Sequence, residues 1–138
     1  MKVHVLKLRK NYYDDVESGL KSFEIRKNDR SYRVGDVLVL QEVETTGKEL
    51  TYQYTGREIL KQVVYMTDFM QRDLYVVLGI APITYEALNE IFDDKKAALL
   101  MQGYDFETIR HMPVEHVDQL YAKEKKKGFK WEKLTVEN

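Results

Sequence analysis

Short apolar runs separated by turn-forming residues dominate the first 80 residues of the chain. β-branched, aliphatic and aromatic residues concentrate in six segments, which we predict to be strands: 3–8, 21–26, 37–40, 50–54, 57–65 and 74–80. Polar residues and glycine lie between several of these segments and predict turns at 28–31, 45–48 and 55–56. This pattern is typical of a sheet-rich domain with short connections.

One segment between the first two predicted strands has a helical pattern instead of an alternating one. Tyr13, Val16 and Leu20 recur at three- and four-residue spacing, which places them on one face of a helix. Asn11 is a candidate N-cap, and Gly19 is a candidate stop because glycine adopts positive φ at little cost. We therefore predict a helix of about two turns.

The alternation within residues 21–26 assigns the side chains of that strand to two faces. Phe23 and Ile25 share one face, Glu24 and Arg26 share the other, and we expect the apolar face to be buried. Together with the other strands, this predicts an α+β fold, a small β-barrel with one helix packed on it. The predicted core includes six apolar residues: Phe23, Ile25, Val37, Val39, Val76 and Leu78.

The pattern changes at residues 81–82, and we predict helices beyond that point. Helical spacing covers four segments: 85–94, 94–102, 106–111 and 114–127. Thr84 and Asp105 are candidate N-caps of the first and third helices. We place a domain boundary here, which gives a barrel domain at 1–80 and a helical extension at 81–138.

The helical extension loosely resembles a degenerate helix-turn-helix between residues 97 and 121. Glu115 and Asp118 open the would-be recognition helix, where they would repel phosphates. Residues 81–138 carry nine Lys and Arg against eleven Asp and Glu. A helical cap or a module that binds a protein partner is therefore the preferred interpretation of this part.

Composition limits the chemistry that this chain of 138 residues can perform. It has no cysteine, which excludes disulfides, thiolate metal sites and a cysteine nucleophile. Its formal net charge is −1, yet residues 7–33 carry eight Lys and Arg against five Asp and Glu. The first residues lack the apolar run of a signal peptide, and no apolar stretch approaches membrane-spanning length. We expect a cytoplasmic protein with no membrane partner and no cofactor.

The segment from Gly19 to Arg26 contains the most informative group of polar residues. A tight helix exit delivers Lys21 to the start of a strand, from which Glu24 and Arg26 project on one face. Arginine offers a planar fork for phosphate or a base edge, and a carboxylate can accept from an exocyclic amine. The alternative is an exposed Glu–Arg pair on a strand, which contributes less than about 1 kcal/mol to stability.

The same segment has the form G-x-K-x-x-E-x-R, which resembles the characteristic motif of the ASCH superfamily, relatives of the PUA RNA-binding domains. Further segments are similar in order and spacing to a bacterial and phage subgroup known mainly as a domain of unknown function: 1–8, 23–30, 32–38, 54–58 and 75–80. The resemblance covers roughly residues 1–80. It implies a PUA-like barrel whose cleft is lined by Lys21, Glu24 and Arg26, with RNA or a modified nucleotide as the ligand.

Some small ASCH proteins are amidohydrolases that act on acylated cytidine, and this chain resembles them at Gly19, Lys21 and Arg26. They carry threonine where this chain has Glu24, so the nucleophilic hydroxyl of that position is missing. Ser22 lies about 7 Å away along the same strand face and is a poor substitute. We expect weak or no activity of this kind, although Glu24 as a general base on water keeps a hydrolase open as an alternative.

Other candidate site residues flank the motif. Lys27, Asp29 and Arg30 follow it in a turn, where they either contact phosphate or form a solvated hairpin end. His4, in the first strand, either borders the cleft or is a hydrogen-bonded structural residue. His111 and His116 have Pro113 between them and do not form a helical metal pair, so we predict no metal site. A phage or host adaptor that binds protein through 81–138 is the remaining alternative function.

Overall fold

The computed structural model describes residues 1–46 and 51–130 and has an α+β fold. The chain divides into two compact units, Met1–Thr84 and Tyr85–Asn138. The first unit contains five strands and one helix: β1 (Val3–Arg9), α1 (Lys10–Glu17), β2 (Phe23–Lys27), β3 (Val37–Thr46), β4 (Thr51–Thr67) and β5 (Tyr75–Pro82). Up to residue 130, the second unit contains four helices: α2 (Tyr85–Asn89), α3 (Asp94–Gln102), α4 (Phe106–Arg110) and α5 (Val114–Lys127).

The five strands form one mixed sheet in the order β1-β3-β4-β5-β2. β1 runs parallel to β3, and the other neighbouring strands pair antiparallel. Within the described residues the sheet is not closed by backbone hydrogen bonds, so β1 and β2 are its two edges. β1, at the start of the chain, and β2, which carries Glu24 and Arg26, therefore lie at opposite edges of the sheet. The position of these two edges decides where a cleft can form.

The core of the first unit lies between α1 and one face of this sheet. Burying a leucine or valine contributes about 1.5–3 kcal/mol, so this cluster dominates the stability of the unit. The predicted core positions Val37, Val39, Val76 and Leu78 are confirmed as buried. The connected cluster comprises Leu6, Leu8, Tyr13, Val16, Tyr32, Leu38, Leu40, Val63, Val76, Leu78 and Ile80.

The prediction that Phe23 and Ile25 are core residues is wrong. Their side chains are 41% and 53% exposed, whereas Glu24 is only 3% exposed. The reason is the register, because Glu24 pairs directly with Leu78 of β5. Residues opposite each other in a ladder point to the same face of a sheet. Glu24 therefore shares the inward face of Leu78, and Phe23 and Ile25 point outward.

The turn predicted at residues 55–56 is a bulge inside one long strand. β4 runs without interruption from Thr51 to Thr67, and the register shifts where it passes Glu42 of β3. Gly56 has a φ of +94°, which glycine adopts without strain. At the bulge, residues 55–57 of β4 lie opposite Glu42, whose carboxylate is buried. The predicted hairpin tip at 45–48 lies partly outside the described residues, as does the first residue of the strand predicted at 50–54.

The helix α1 begins two residues earlier than predicted. Arg9 occupies its N-cap position without a side-chain hydrogen bond, so Asn11 is not the cap. At the other end Gly19 has a φ of +84°, and its N–H donates to the carbonyl of Val16. Gly19 is thus confirmed as the helix stop. The sharp exit leads the chain into Lys21 and the start of β2.

The helices of the second unit agree well with the helical spacing of the sequence. α3 and α5 have the predicted bounds, whereas α2 ends at Asn89 and α4 at Arg110. Asp105 caps α4 by accepting a hydrogen bond from the Thr108 N–H. No helix in the described part of the chain is long and apolar enough to span a membrane. The buried apolar residues of this unit are Ala87, Leu88, Ala97, Ala98, Leu99, Leu100, Phe106, Ile109, Val117 and Phe129.

Candidate ligand-binding cleft

A cleft of about 430 Å³ lies between the two edge strands of the sheet. The two edges approach each other closely enough for Arg26 of β2 to reach β1, where its Nη2 donates to the Lys7 carbonyl at 2.7 Å. The Arg26 side chain therefore spans the gap between the two edge strands. The cleft is lined by residues of β1, α1, β2 and the loop before β2: Lys7, Leu8, Arg9, Tyr12, Lys21, Phe23, Glu24, Ile25 and Arg26.

Glu24 is the centre of an ion-pair cluster at the bottom of this cleft. Its Oε1 accepts from Lys21 Nζ at 3.2 Å, and its Oε2 accepts from Arg26 Nε at 3.0 Å. The Glu24 side chain is 4% exposed, while those of Lys21 and Arg26 are 22% and 23% exposed. The carboxylate is thus buried with one cation on each oxygen, and both cations remain accessible from the cleft. The structure brings together the three residues of the motif.

Two aromatic rings stand beside Lys21. Its Nζ lies 4.8 Å from the centroid of the Tyr12 ring and 5.1 Å from that of Phe23, within the range of cation–π attraction. Sequence analysis missed both rings as site residues. The helical spacing of apolar residues includes Tyr13 and therefore did not select Tyr12. Consecutive side chains of a helix point about 100° apart, so Tyr12 and Tyr13 point in different directions. Phe23 was assigned to the core instead.

Lys27, Asp29 and Arg30 line a second depression of about 350 Å³, immediately beyond Arg26. The two depressions share Lys7 and Arg26. The three residues are exposed at the end of β2 and in the turn after it. They therefore lie next to the motif cluster but do not contact Glu24.

His4 lies apart from these depressions. Its Nε2 is 2.8 Å from Asp36 Oδ2, and its ring packs edge-on against Tyr32 at 4.8 Å. Asp36 also accepts from the backbone N–H groups of Lys2 and Arg33. Burial would raise the pKa of Asp36, but these hydrogen bonds outweigh it and hold the pKa below 3.8. The geometry makes His4 a structural residue that ties β1 to the turn before β3.

A third depression, of about 770 Å³, contains charged residues that sequence analysis did not single out. Arg57 reaches from the β4 bulge to Glu42, with Nε–Oε1 at 2.9 Å and Nη2–Oε2 at 2.6 Å. Thr55 Oγ1 also donates to this carboxylate, and the bond from Arg57 is the main reason that the pKa of Glu42 is lowered. The Arg57 guanidinium lies 4.2 Å from the Tyr13 ring centroid. Only pairing across the bulge brings these residues together.

The described residues contain no cluster of three or more His, Asp or Glu that could hold a metal ion. His111 contacts Glu107 at 3.4 Å across one helical turn; His111 is exposed and Glu107 is partly buried. The cleft offers charged groups, hydrogen-bonding groups and aromatic rings.

Comparison with known proteins places the first unit in a family. Residues 3–80 match a family model described as "Domain of unknown function (DUF3850)". The chain is also 37% identical over 67 residues to the "Uncharacterized 12.9 kDa protein in GpA 3'region" of Escherichia phage P2. That similarity covers 49% of this chain and 56% of the phage protein, so the chain spans little more than half of its relative. The match over residues 3–80 covers β1 to β4 and all but the last two residues of β5, and the chain belongs to the DUF3850 family.

Proposed function

We propose that the cleft between β1 and β2 binds a nucleotide unit of RNA, and that the sheet is an open form of a PUA-like barrel. The observation that carries the proposal is the Lys21–Glu24–Arg26 cluster, buried at its carboxylate and accessible at both cations. Burying a charged group costs folding free energy that a well-packed apolar residue would not cost. Such a cluster at the bottom of an open cleft is typical of a binding site.

The chemistry of the cleft matches the parts of a nucleotide. The rings of Tyr12 and Phe23 are about 40% exposed and offer faces on which a base can stack. The guanidinium of Arg26 and the ammonium of Lys21 suit a phosphate or the acceptors of a base edge. Glu24 suits an exocyclic amine if one of its hydrogen bonds is exchanged for the ligand. Stacking together with ionic contacts describes recognition of an unpaired nucleotide.

The described lining of the cleft offers no aliphatic hydroxyl as a nucleophile, which favours binding over hydrolysis. Among the described residues that line it, none is a serine or a threonine. Ser22 is exposed and lies outside the lining. Both oxygens of Glu24 already accept hydrogen bonds from cations, so a water molecule would have to displace one of them before Glu24 could activate it.

The test is direct binding of the four nucleoside monophosphates and of short RNA to the purified full chain. We expect saturable binding that weakens with added salt, because phosphate contacts release counterions. Lys21→Gln should weaken binding at least ten-fold. Its matched control is Lys95→Gln, which also removes a lysine from an ion pair, with Asp118, but in the second unit. Circular dichroism of each variant separates lost binding from lost folding.

A second pair of variants tests the stacking contribution. Tyr12→Leu should weaken binding, since stacking on an aromatic ring contributes about 1–3 kcal/mol per base. Tyr65→Leu changes an exposed tyrosine that does not line the cleft and should leave binding unchanged. Equal binding by Lys21→Gln, Tyr12→Leu and the unaltered protein would overturn the proposal.

A further inference from the structure

The three depressions described above adjoin one another along β1. The second depression shares Lys7 and Arg26 with the motif cleft, and the motif cleft shares Arg9 with the third. Their β1 residues follow in chain order, from Val5 to Arg9, and the third depression continues onto the start of α1. A strand rises about 3.3 Å per residue, so the β1 part alone extends over roughly 13 Å. We call this continuous surface the β1 groove.

The β1 groove concentrates positive charge on a chain that is slightly acidic as a whole. Its lining contains eight of the 22 Lys and Arg but only four of the 23 Asp and Glu. Within the part of the chain that the structure describes, Lys7, Arg9, Lys27 and Arg30 make no ion pair with an acidic side chain. These cations are distributed along the groove and suit a row of phosphates.

Exposed aromatic rings accompany these cations along the groove. Tyr12 and Phe23 stand in the motif cleft, and Tyr54, 59% exposed, lines the second depression. Tyr52 lies alongside, with Lys7 Nζ 5.2 Å from its ring centroid. Bases in a duplex are stacked on each other and cannot reach such rings, whereas unpaired bases can.

We propose that the β1 groove binds a single-stranded oligonucleotide of three or more residues, with the central nucleotide in the motif cleft. This inference rests on the proposed function, since it takes the motif cleft as one nucleotide site. It adds that the adjoining depressions hold the neighbouring nucleotides on either side. A site for a free mononucleotide would need neither the flanking cations nor the flanking ring.

A length series tests this inference on the full chain, with UMP, oligouridylates of three, six and nine residues, and a duplex of equal length as probes. We expect affinity to rise at least ten-fold from UMP to the hexamer and then to level off, with the duplex weaker than the single strand. An oligothymidylate hexamer identifies whether RNA or DNA is the preferred strand. A hexamer that binds no more tightly than UMP would overturn the inference and leave the nucleotide site standing. Absence of binding by every probe would overturn the proposed function as well.

Variants at the two ends of the groove provide the second arm. Lys10 lines the third depression and Arg30 lines the second. Both side chains are exposed, so the variants Lys10→Ala and Arg30→Ala should retain the fold. Each variant should weaken hexamer binding several-fold more than UMP binding. Each should also reduce the slope of log affinity against log salt concentration by about one unit. Lys95→Ala, in the second unit, is the matched control and should change neither. Unchanged hexamer binding by both end variants would overturn the inference.

Discussion

At the scale of single residues, the first unit depends on buried carboxylates that are fully paired. Glu24, Asp36 and Glu42 are each 2–3% exposed, and each accepts at least two hydrogen bonds. An ionised carboxylate is stable inside a protein only when its oxygens are satisfied in this way. Two of the three, Glu24 and Glu42, lie beside the groove and hold cations toward it. Folding and the placement of the cations are therefore coupled.

Removing Arg26 should destabilise the protein as well as affect the cleft. Arg26→Ala leaves the Glu24 carboxylate with Lys21 alone, and we expect a loss of about 1–3 kcal/mol in the free energy of unfolding. Glu24→Gln combined with Arg26→Ala should cost less than the sum of the single changes, because the amide needs no counter-charge. Urea unfolding of the three variants at pH 7 measures this. Strictly additive losses would contradict the coupling.

The environment of Asp36 predicts a dependence of stability on pH. Its pKa is lowered from 3.8 in the folded protein, so its contribution is fully present above about pH 4. That contribution is lost as the pH falls below 3.8 through the lowered folded value. Asp36→Asn should lower stability at pH 7 and flatten the decline between pH 4 and pH 2. Urea unfolding across this range tests the prediction, with Asp118→Asn on the exposed surface of the second unit as control.

At the scale of elements, the edge strand β2 and the bulged strand β4 determine the shape of the groove. β2 presents Glu24 and Arg26 inward and Phe23 and Ile25 outward, the reverse of an ordinary amphipathic strand. β4 bends around Glu42 and brings Arg57 to Asp14 in the middle of α1. Both features depend on pairing with a neighbouring strand.

The orientation of β2 predicts which of its neighbours are essential. Ile25→Ala should cost less than about 1 kcal/mol, because a side chain that is half exposed leaves no cavity. Leu78→Ala on the adjacent strand β5 removes a fully buried side chain and should cost about 2–5 kcal/mol. Chemical denaturation compares the two variants. A larger loss for Ile25→Ala would mean that β2 has the opposite face inside.

The β4 bulge predicts a specific requirement for glycine. A Cβ at Gly56 would meet no atom within 4 Å, so any cost of Gly56→Ala comes from its φ of +94°. We expect a loss of about 1–2 kcal/mol. Gly56→Asn should lose less, because asparagine tolerates positive φ better than alanine. Thermal or urea unfolding ranks the variants, and equal stability of Gly56→Ala and the unaltered chain would contradict this account.

At the scale of the whole molecule, the cleft, the groove and the family match all lie within the first unit. The second unit has its own buried residues and its own capped helices. The proposed binding site therefore lies in one unit and the helices in the other. The boundary between the two units decides whether the first unit can be isolated.

A chain shortened to residues 1–84 should fold cooperatively, because all five strands and the core cluster lie within it. Ending at residue 80 should be less favourable, since Ala81 and Pro82 pair with Gln62 and Lys61 of β4. Thermal melting followed by circular dichroism compares the two chains. Aggregation of the 1–84 chain would show that the helices are needed to keep the sheet soluble.

The sequence by itself determined most of the elements and the residues of the motif. Local periodicity located β1, β2 and β5 to within two residues, the bounds of α3 and α5, and the stop at Gly19, because these features depend on neighbours within a few residues. It divided β4 into two strands and ended β3 six residues early. The spacing of Lys21, Glu24 and Arg26 was likewise sufficient to select them as a group.

Only the tertiary structure decided which face of β2 is buried and which residues join the motif. Alternation shows which residues share a face, but pairing with β5 decides which face points inward. Tyr12, Lys7 and Arg57 come from distant parts of the chain and reach the groove through the approach of two strand edges and the β4 bulge. Such contacts depend on register and curvature, which no local pattern of the chain encodes.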